Sequence, residues 1–213
     1  TGSGKTLVMA ALILYYYKQG YRNFIFFVNQ NAILGKTQAN FIDNTHNKYL
    51  FSENIVIEGV RVKIREVELF SDSCDDIQIK FTTIQKLHND IYKEGENALL
   101  LSDLQKRDVV LFGDEAHHLN ASTSKKKSAA NELTDDISFI GELKDSAKLE
   151  DIERSWEHTV RHCILEKDGK TTGVNKNVLL EFTATIPNTD DVKEKYEDKI
   201  ISKFELKDFV EAG

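Results

Sequence analysis

Apolar residues in this chain follow two patterns in alternation. Phe24-Ile25-Phe26-Phe27-Val28 is an unbroken apolar run, and Asp108–Gly113 and Val178–Phe182 carry similar ones. Runs this short and continuous predict strands covered on both faces, as in a parallel sheet. Between them the spacing turns helical. Residues 4–19 predict a buried helix that ends at Gly20, where a glycine suits the left-handed residue after a helix. Residues 32–42 and 84–92 predict two more helices, and 95–107 a short helix or loop. Ile77–Thr83 predicts another strand, and the alternation over 55–70 predicts one or two strands broken at Gly59. Strand, polar tip (Asn29-Gln30-Asn31) and helix form a βα unit. Repetition of that unit predicts an α/β class chain, a doubly wound and mainly parallel sheet flanked by helices, with functional residues at its carboxyl edge.

Beyond residue 120 the pattern loosens. Residues 121–147 read as a mobile insertion. From Asp135 to Glu157 there are eight acids against three bases, so a packed core is not expected over the first half of that stretch. Leu149, Ile152, Trp156, Val160, Cys163 and Ile164 recur at three- and four-residue spacing and predict an amphipathic helix over 148–165. Asp168-Gly169-Lys170 reads as a turn, residues 190–199 as a charged helix or turn, and Ile200–Leu206 as a short strand. Tyr15-Tyr16-Tyr17 abuts the first helix and reads as packing rather than a stacking platform.

Composition narrows the function. With 213 residues, 40 % apolar and 30 % charged, the chain has enough apolar content for a real core. The net charge of −7 argues against indiscriminate coating of nucleic acid but leaves room for a local groove. Cys74 and Cys163 stand apart and outside any Cys-x-x-Cys, which points to a reducing compartment and a cytoplasmic protein. The Leu7–Tyr17 run is too short to span a bilayer, so no membrane association is expected.

The candidate chemistry begins at the first residue. Thr1-Gly2-Ser3-Gly4-Lys5-Thr6 is the back half of the P-loop pattern, in which small residues let backbone N–H groups cradle phosphates. Lys5 would reach the β/γ-phosphates of ATP, and the Thr6 hydroxyl would ligate Mg²⁺. The opening small residue of the pattern would precede Thr1, so the chain is expected to belong to something longer. The strand ending at Gly113 delivers Asp114-Glu115. Adjacent acids at the tip of a buried strand can hold Mg²⁺ (Asp114) and activate the attacking water (Glu115). An acidic helix cap is the plainer reading, and the upstream P-loop outweighs it.

Gly2–Thr6, Asp114-Glu115-Ala116-His117 and Thr183-Ala184-Thr185 occur in the order of motifs I, II and III of the superfamily 2 DEAD/DEAH-box helicases and translocases. Phe27-Val28-Asn29 resembles motif Ia, and Thr82-Thr83-Ile84-Gln85 resembles a motif that touches the nucleic-acid backbone. Asp114–Asn120, Phe81–Gln85 and Leu179–Pro187 are together similar to the Res subunits of type III restriction enzymes. That resemblance implies that residues 1–187 form the first RecA-like lobe of a DNA motor and 188–213 begin the connection to a second. It also implies ATP and Mg²⁺ as cofactors, double-stranded DNA as track and a modification methyltransferase as partner. His117, with Thr183 and Thr185, would couple hydrolysis to movement.

A motor needs sequence-neutral grips on phosphate. Asn29, Gln30, Thr82, Thr83 and Gln85 are uncharged donors at strand ends that could hold and release a phosphate, although turn and cap chemistry would also use them. Lys125-Lys126-Lys127 reads as a solvated loop. His158 and His162 have a workable zinc spacing but lack a second ligand pair, and His117 with His118 would diverge from any shared metal. Two rival readings stay open: a different superfamily 2 motor, such as an RNA helicase or repair translocase, and a P-loop switch that does not translocate.

Overall fold

A computed structural model describes residues 4–92, 101–116, 160, 164–165, 177–184, 186, 188, 190, 193, 196 and 198–202. Helix α1 (Lys5–Lys18) leads into β1 (Asn23–Val28), followed by α2 (Asn31–Ile42). Three short strands come next, β2 (Ile55–Ile57), β3 (Val60–Val62) and β4 (Ile64–Glu66). Then follow β5 (Ile77–Thr83), α3 (Ile84–Tyr92), α4 (Leu101–Lys106), β6 (Val109–Gly113) and β7 (Val178–Glu181). Five strands form one parallel sheet in the order β4-β5-β1-β6-β7. This is the doubly wound α/β arrangement that the alternating pattern predicts.

The sheet separates two apolar layers because side chains alternate along each strand. Phe24, Phe26 and Val28 of β1 face one way with Ile79, Phe81 and Phe112, and pack against α1 and α2. Ile25 and Phe27 face the other way with Val109 and Leu111, against Leu87 of α3 and Leu104 of α4. The central strands β1 and β6 are buried nearly throughout, which is why they read as unbroken apolar runs.

Several expectations need correction. Helix α1 is not buried all round: Met9, Ala10, Ile13 and Tyr17 face the core, whereas Leu7, Val8 and Tyr15 are exposed. Its end is as predicted. Gly20 has φ 98 and donates to the Tyr17 carbonyl, while Tyr21 donates to the Tyr16 carbonyl, a Schellman closure. The 55–70 region holds three strands. β2 and β3 form an antiparallel hairpin whose two turn residues, Glu58 (φ 51) and Gly59 (φ 82), take the left-handed conformations a tight hairpin requires, and β4 joins the main sheet. Ile200, Ile201 and Ser202 are not in a strand, and Ile201 is 89 % exposed. The insertion at 121–147, the zinc candidates and Lys125–Lys127 lie outside the described residues. Of the helix predicted over 148–165, Val160, Ile164 and Leu165 are described, and the first two are buried in the second layer.

One face of β5 is polar yet buried. Gln78, Lys80 and Thr82 point into the second layer, beneath the chain that connects β4 to β5. Gln78 accepts from Ser71 N–H at 2.8 Å and donates to the Ser71 carbonyl at 3.0 Å. Lys80, 1 % exposed, donates to the Glu68 carbonyl at 2.8 Å and lies 3.3 Å from the Glu68 carboxylate and 3.9 Å from that of Asp90. Burial pushes the Asp90 carboxyl up, and the charges of Lys80 and Lys86 pull against that.

Asn177 plays a similar part at the opposite end of the sheet. Its Oδ1 accepts from Val109 N–H at 2.9 Å, and its Nδ2 donates to the carbonyls of Leu104 (3.2 Å) and Ile164 (2.8 Å). One side chain thus joins α4, β6 and the segment before β7. Asn177→Ala orphans three buried backbone groups and is expected to cost about 2–4 kcal/mol in urea unfolding. A loss below about 0.5 kcal/mol would mean these bonds do not hold the layer together.

Candidate nucleotide site at the carboxyl edge of the sheet

The strand register puts the functional candidates on one edge. Val28 pairs with Thr83, Phe27 with Gly113, and Gly113 with Glu181. The tips of β5, β1, β6 and β7 therefore end at one level. From β1 the chain passes to α2 on one face, and from β5 to α3 on the other. The crevice between those two tips is a topological switch point, the usual ligand position in such sheets.

Gly4 takes φ 74, which suits a residue without Cβ, and caps α1 with no side-chain hydrogen bond. The first N–H groups of α1 and the positive end of its dipole are thereby available to an anion. Lys5 and Thr6 occupy the first turn, both half-buried. Lys5 Nζ lies 3.8 Å from Glu115 Oε1, so the P-loop residue and the acid pair share one site.

Asp114 is 8 % exposed, and its N–H donates to the Phe27 carbonyl at 3.1 Å. Burial pushes its carboxyl above the usual carboxylate range. The N–H of Glu115, 3.0 Å from Oδ1, opposes that shift, the charge of Glu115 adds to it, and Lys5 opposes it. Adjacent carboxylates, one of them buried, are the hard oxygen donors that a divalent cation takes. Glu115 has φ 54, rare for a residue with a side chain.

At the β1/β5 crevice, Gln85 Nε2 donates to Asn29 Oδ1 at 3.1 Å. Gln30 is exposed and is the residue before the first turn of α2, whose carbonyl accepts from Ile33 and Leu34. Thr83 caps α3, its hydroxyl accepting the Lys86 N–H at 3.2 Å. Thr82 is 1 % exposed, with its hydroxyl turned to the Thr83 carbonyl, so its side chain is withdrawn from any surface contact. Thr183 lies just past the end of β7, separated from it by Phe182. Gly2, Ser3, His117 and Thr185 lie outside the described residues. Sequence reasoning missed the left-handed Glu115 and the backbone of Phe182 that brackets it, and neither has a signal in residue type.

The family model for the type III restriction enzyme Res subunit matches residues 1–188. The chain belongs to this family. A relative from Haemophilus influenzae, a probable type III restriction-modification enzyme HindVIP Res subunit, is 51 % identical over 100 % of this chain. The chain spans 40 % of that relative's length. No solved structure matches it. Membership in the Res family agrees with the parallel sheet and identifies the fold as a RecA-like α/β domain. Among the described residues no helix is long and apolar enough to cross a membrane.

Proposed function

We propose that this Res-family chain is the first motor lobe of a type III restriction enzyme, binding ATP with Mg²⁺ and driving movement along double-stranded DNA. The observation that carries this reading is the approach of Lys5 to Glu115, which joins a phosphate-binding helix end to an acid pair at one sheet edge. Lys5 neutralises phosphate charge, and the N–H groups of Gly2–Thr6 cradle it. Thr6 and Asp114 would hold Mg²⁺, which when bound would neutralise phosphate charge. Glu115 orients the attacking water and accepts its proton.

His117, Thr183 and Thr185 are the coupling residues in this proposal. Asn29, Gln30, Thr83 and Gln85 contact the DNA backbone. Thr82, with its hydroxyl buried, serves only through its main chain. A methyltransferase subunit is the proposed partner, and the cytoplasm the proposed location.

The test is ATP turnover by the full-length subunit with and without double-stranded DNA, with RNA as a second arm. The motor reading expects stimulation by DNA. Equal turnover in all three conditions would favour a nucleotide switch, and stimulation by RNA alone would favour an RNA helicase.

A further inference from the structure

The residue just before Thr183 has no part in the reading above, yet its backbone spans the acid pair. Phe182 donates its N–H to the Gly113 carbonyl at 2.8 Å and accepts the Ala116 N–H at 2.9 Å. Those two groups flank Asp114 and Glu115, so one residue of the neighbouring strand end closes a bracket around both carboxylates. Within it Glu115 has φ 54. A side-chain-bearing residue keeps such a conformation where its surroundings over-determine it, and the bracket is a constraint of that kind.

The position of Phe182 is in turn set by its ring. It stacks on Phe112 with centroids 6.3 Å apart and planes at 22°, and Phe112 stacks on Phe24 at 6.4 Å and 28°. Phe112 and Phe24 are fully buried in the first layer. A column of three rings thus runs from the sheet centre to the residue that holds the acids. The next residue along is Thr183.

We propose that Phe182 is a positioning residue for ATP hydrolysis. Its stacked ring fixes the strand end, and the strand end fixes where Glu115 sits relative to Lys5. A displacement at Thr183 reaches Glu115 through two backbone hydrogen bonds, without requiring a side-chain relay. The proposal rests on the reading of the chain as an ATP hydrolase.

Phe182→Leu and Phe182→Tyr in the full-length subunit test it. A leucine keeps apolar bulk and loses the stack, whereas a tyrosine keeps the stack. The measurements are kcat and KM for ATP at saturating DNA, binding of a fluorescent ATP analogue with Mg²⁺, and thermal unfolding. The expected result for Phe182→Leu is a kcat lowered about tenfold with analogue affinity within about twofold of the parent, and recovery of kcat in Phe182→Tyr. The proposal is overturned by an unchanged kcat in Phe182→Leu. It is equally overturned by a loss that tyrosine does not restore, or by a loss matched by falling analogue binding and folded fraction, which marks a purely structural role. If the unsubstituted subunit hydrolyses no ATP, the hydrolase reading fails and this proposal with it. If the unsubstituted subunit is active and Phe182→Leu is equally active, only the positioning role fails.

Discussion

Glu115→Gln in the full-length subunit is expected to lower DNA-stimulated ATP turnover by about 10³-fold while leaving nucleotide bound. Glutamine has nearly the same shape as glutamate and tolerates the φ of 54 about as well, so the backbone around the site has no reason to move. What it lacks is basicity: an amide cannot take the proton of an attacking water. The second consequence concerns Lys5. With Glu115 neutral, Lys5 loses the anion 3.8 Å away and faces the phosphates alone. ATP affinity is therefore expected to hold or rise as turnover collapses. Rapid-quench measurement of turnover beside equilibrium binding of a fluorescent analogue separates the two effects. Turnover within about threefold of the parent would remove Glu115 from the chemistry.

The second large effect concerns the core. Phe26 sits at the centre of a ring cluster that joins β1, α2 and β5. Its centroid lies 6.1 Å from Phe41 at 79° and 5.7 Å from Phe81 at 52°, and Phe41 reaches on to Phe51 at 5.7 Å. Phe26→Ala opens a cavity that its two aromatic neighbours, Phe41 and Phe81, cannot collapse to fill, and is expected to cost about 3–5 kcal/mol. For a domain of this size that is a fall in Tm of about 10 °C. Phe26→Leu, which keeps most of the volume, is expected to cost under about 1.5 kcal/mol. Similar losses for both substitutions in denaturant titrations would show that ring geometry, not volume, holds the layer.

Legibility in the sequence followed burial. Phe24–Val28 and Val109–Phe112 were readable as strands because each is covered on both faces and so is apolar at every position. Gly20 marked a helix end because the turn there needs a left-handed residue. Helix α1 reads in sequence as wholly buried because its apolar residues run all round it, and composition cannot say that Leu7, Val8 and Tyr15 face outward. At the site, the P-loop and the acid pair were recognisable as residue types. Their approach to each other depends on strand order, which no local pattern carries. Asn29 and Gln85 are legible only singly, as donors, and the pairing of β1 with β5 makes them partners. The conformation of Glu115 is a matter of backbone bonds from Phe182, and backbone bonds are silent in sequence.

The polar face of β5 has a meaning that reaches beyond this site. The connection from β4 to β5 lies over that face as a roof made of loop rather than helix. A helix satisfies its own N–H and C=O groups and can rest on leucines, but a loop arrives with groups that need partners from below. Gln78 and Lys80 supply them to Ser71 and Glu68, while Phe70 fills the space between. Alternating polar residues on an interior strand are therefore the imprint of an irregular cover, and not of water. Making that strand uniformly apolar would improve its fit to an ideal parallel sheet and strip the roof of its fastenings.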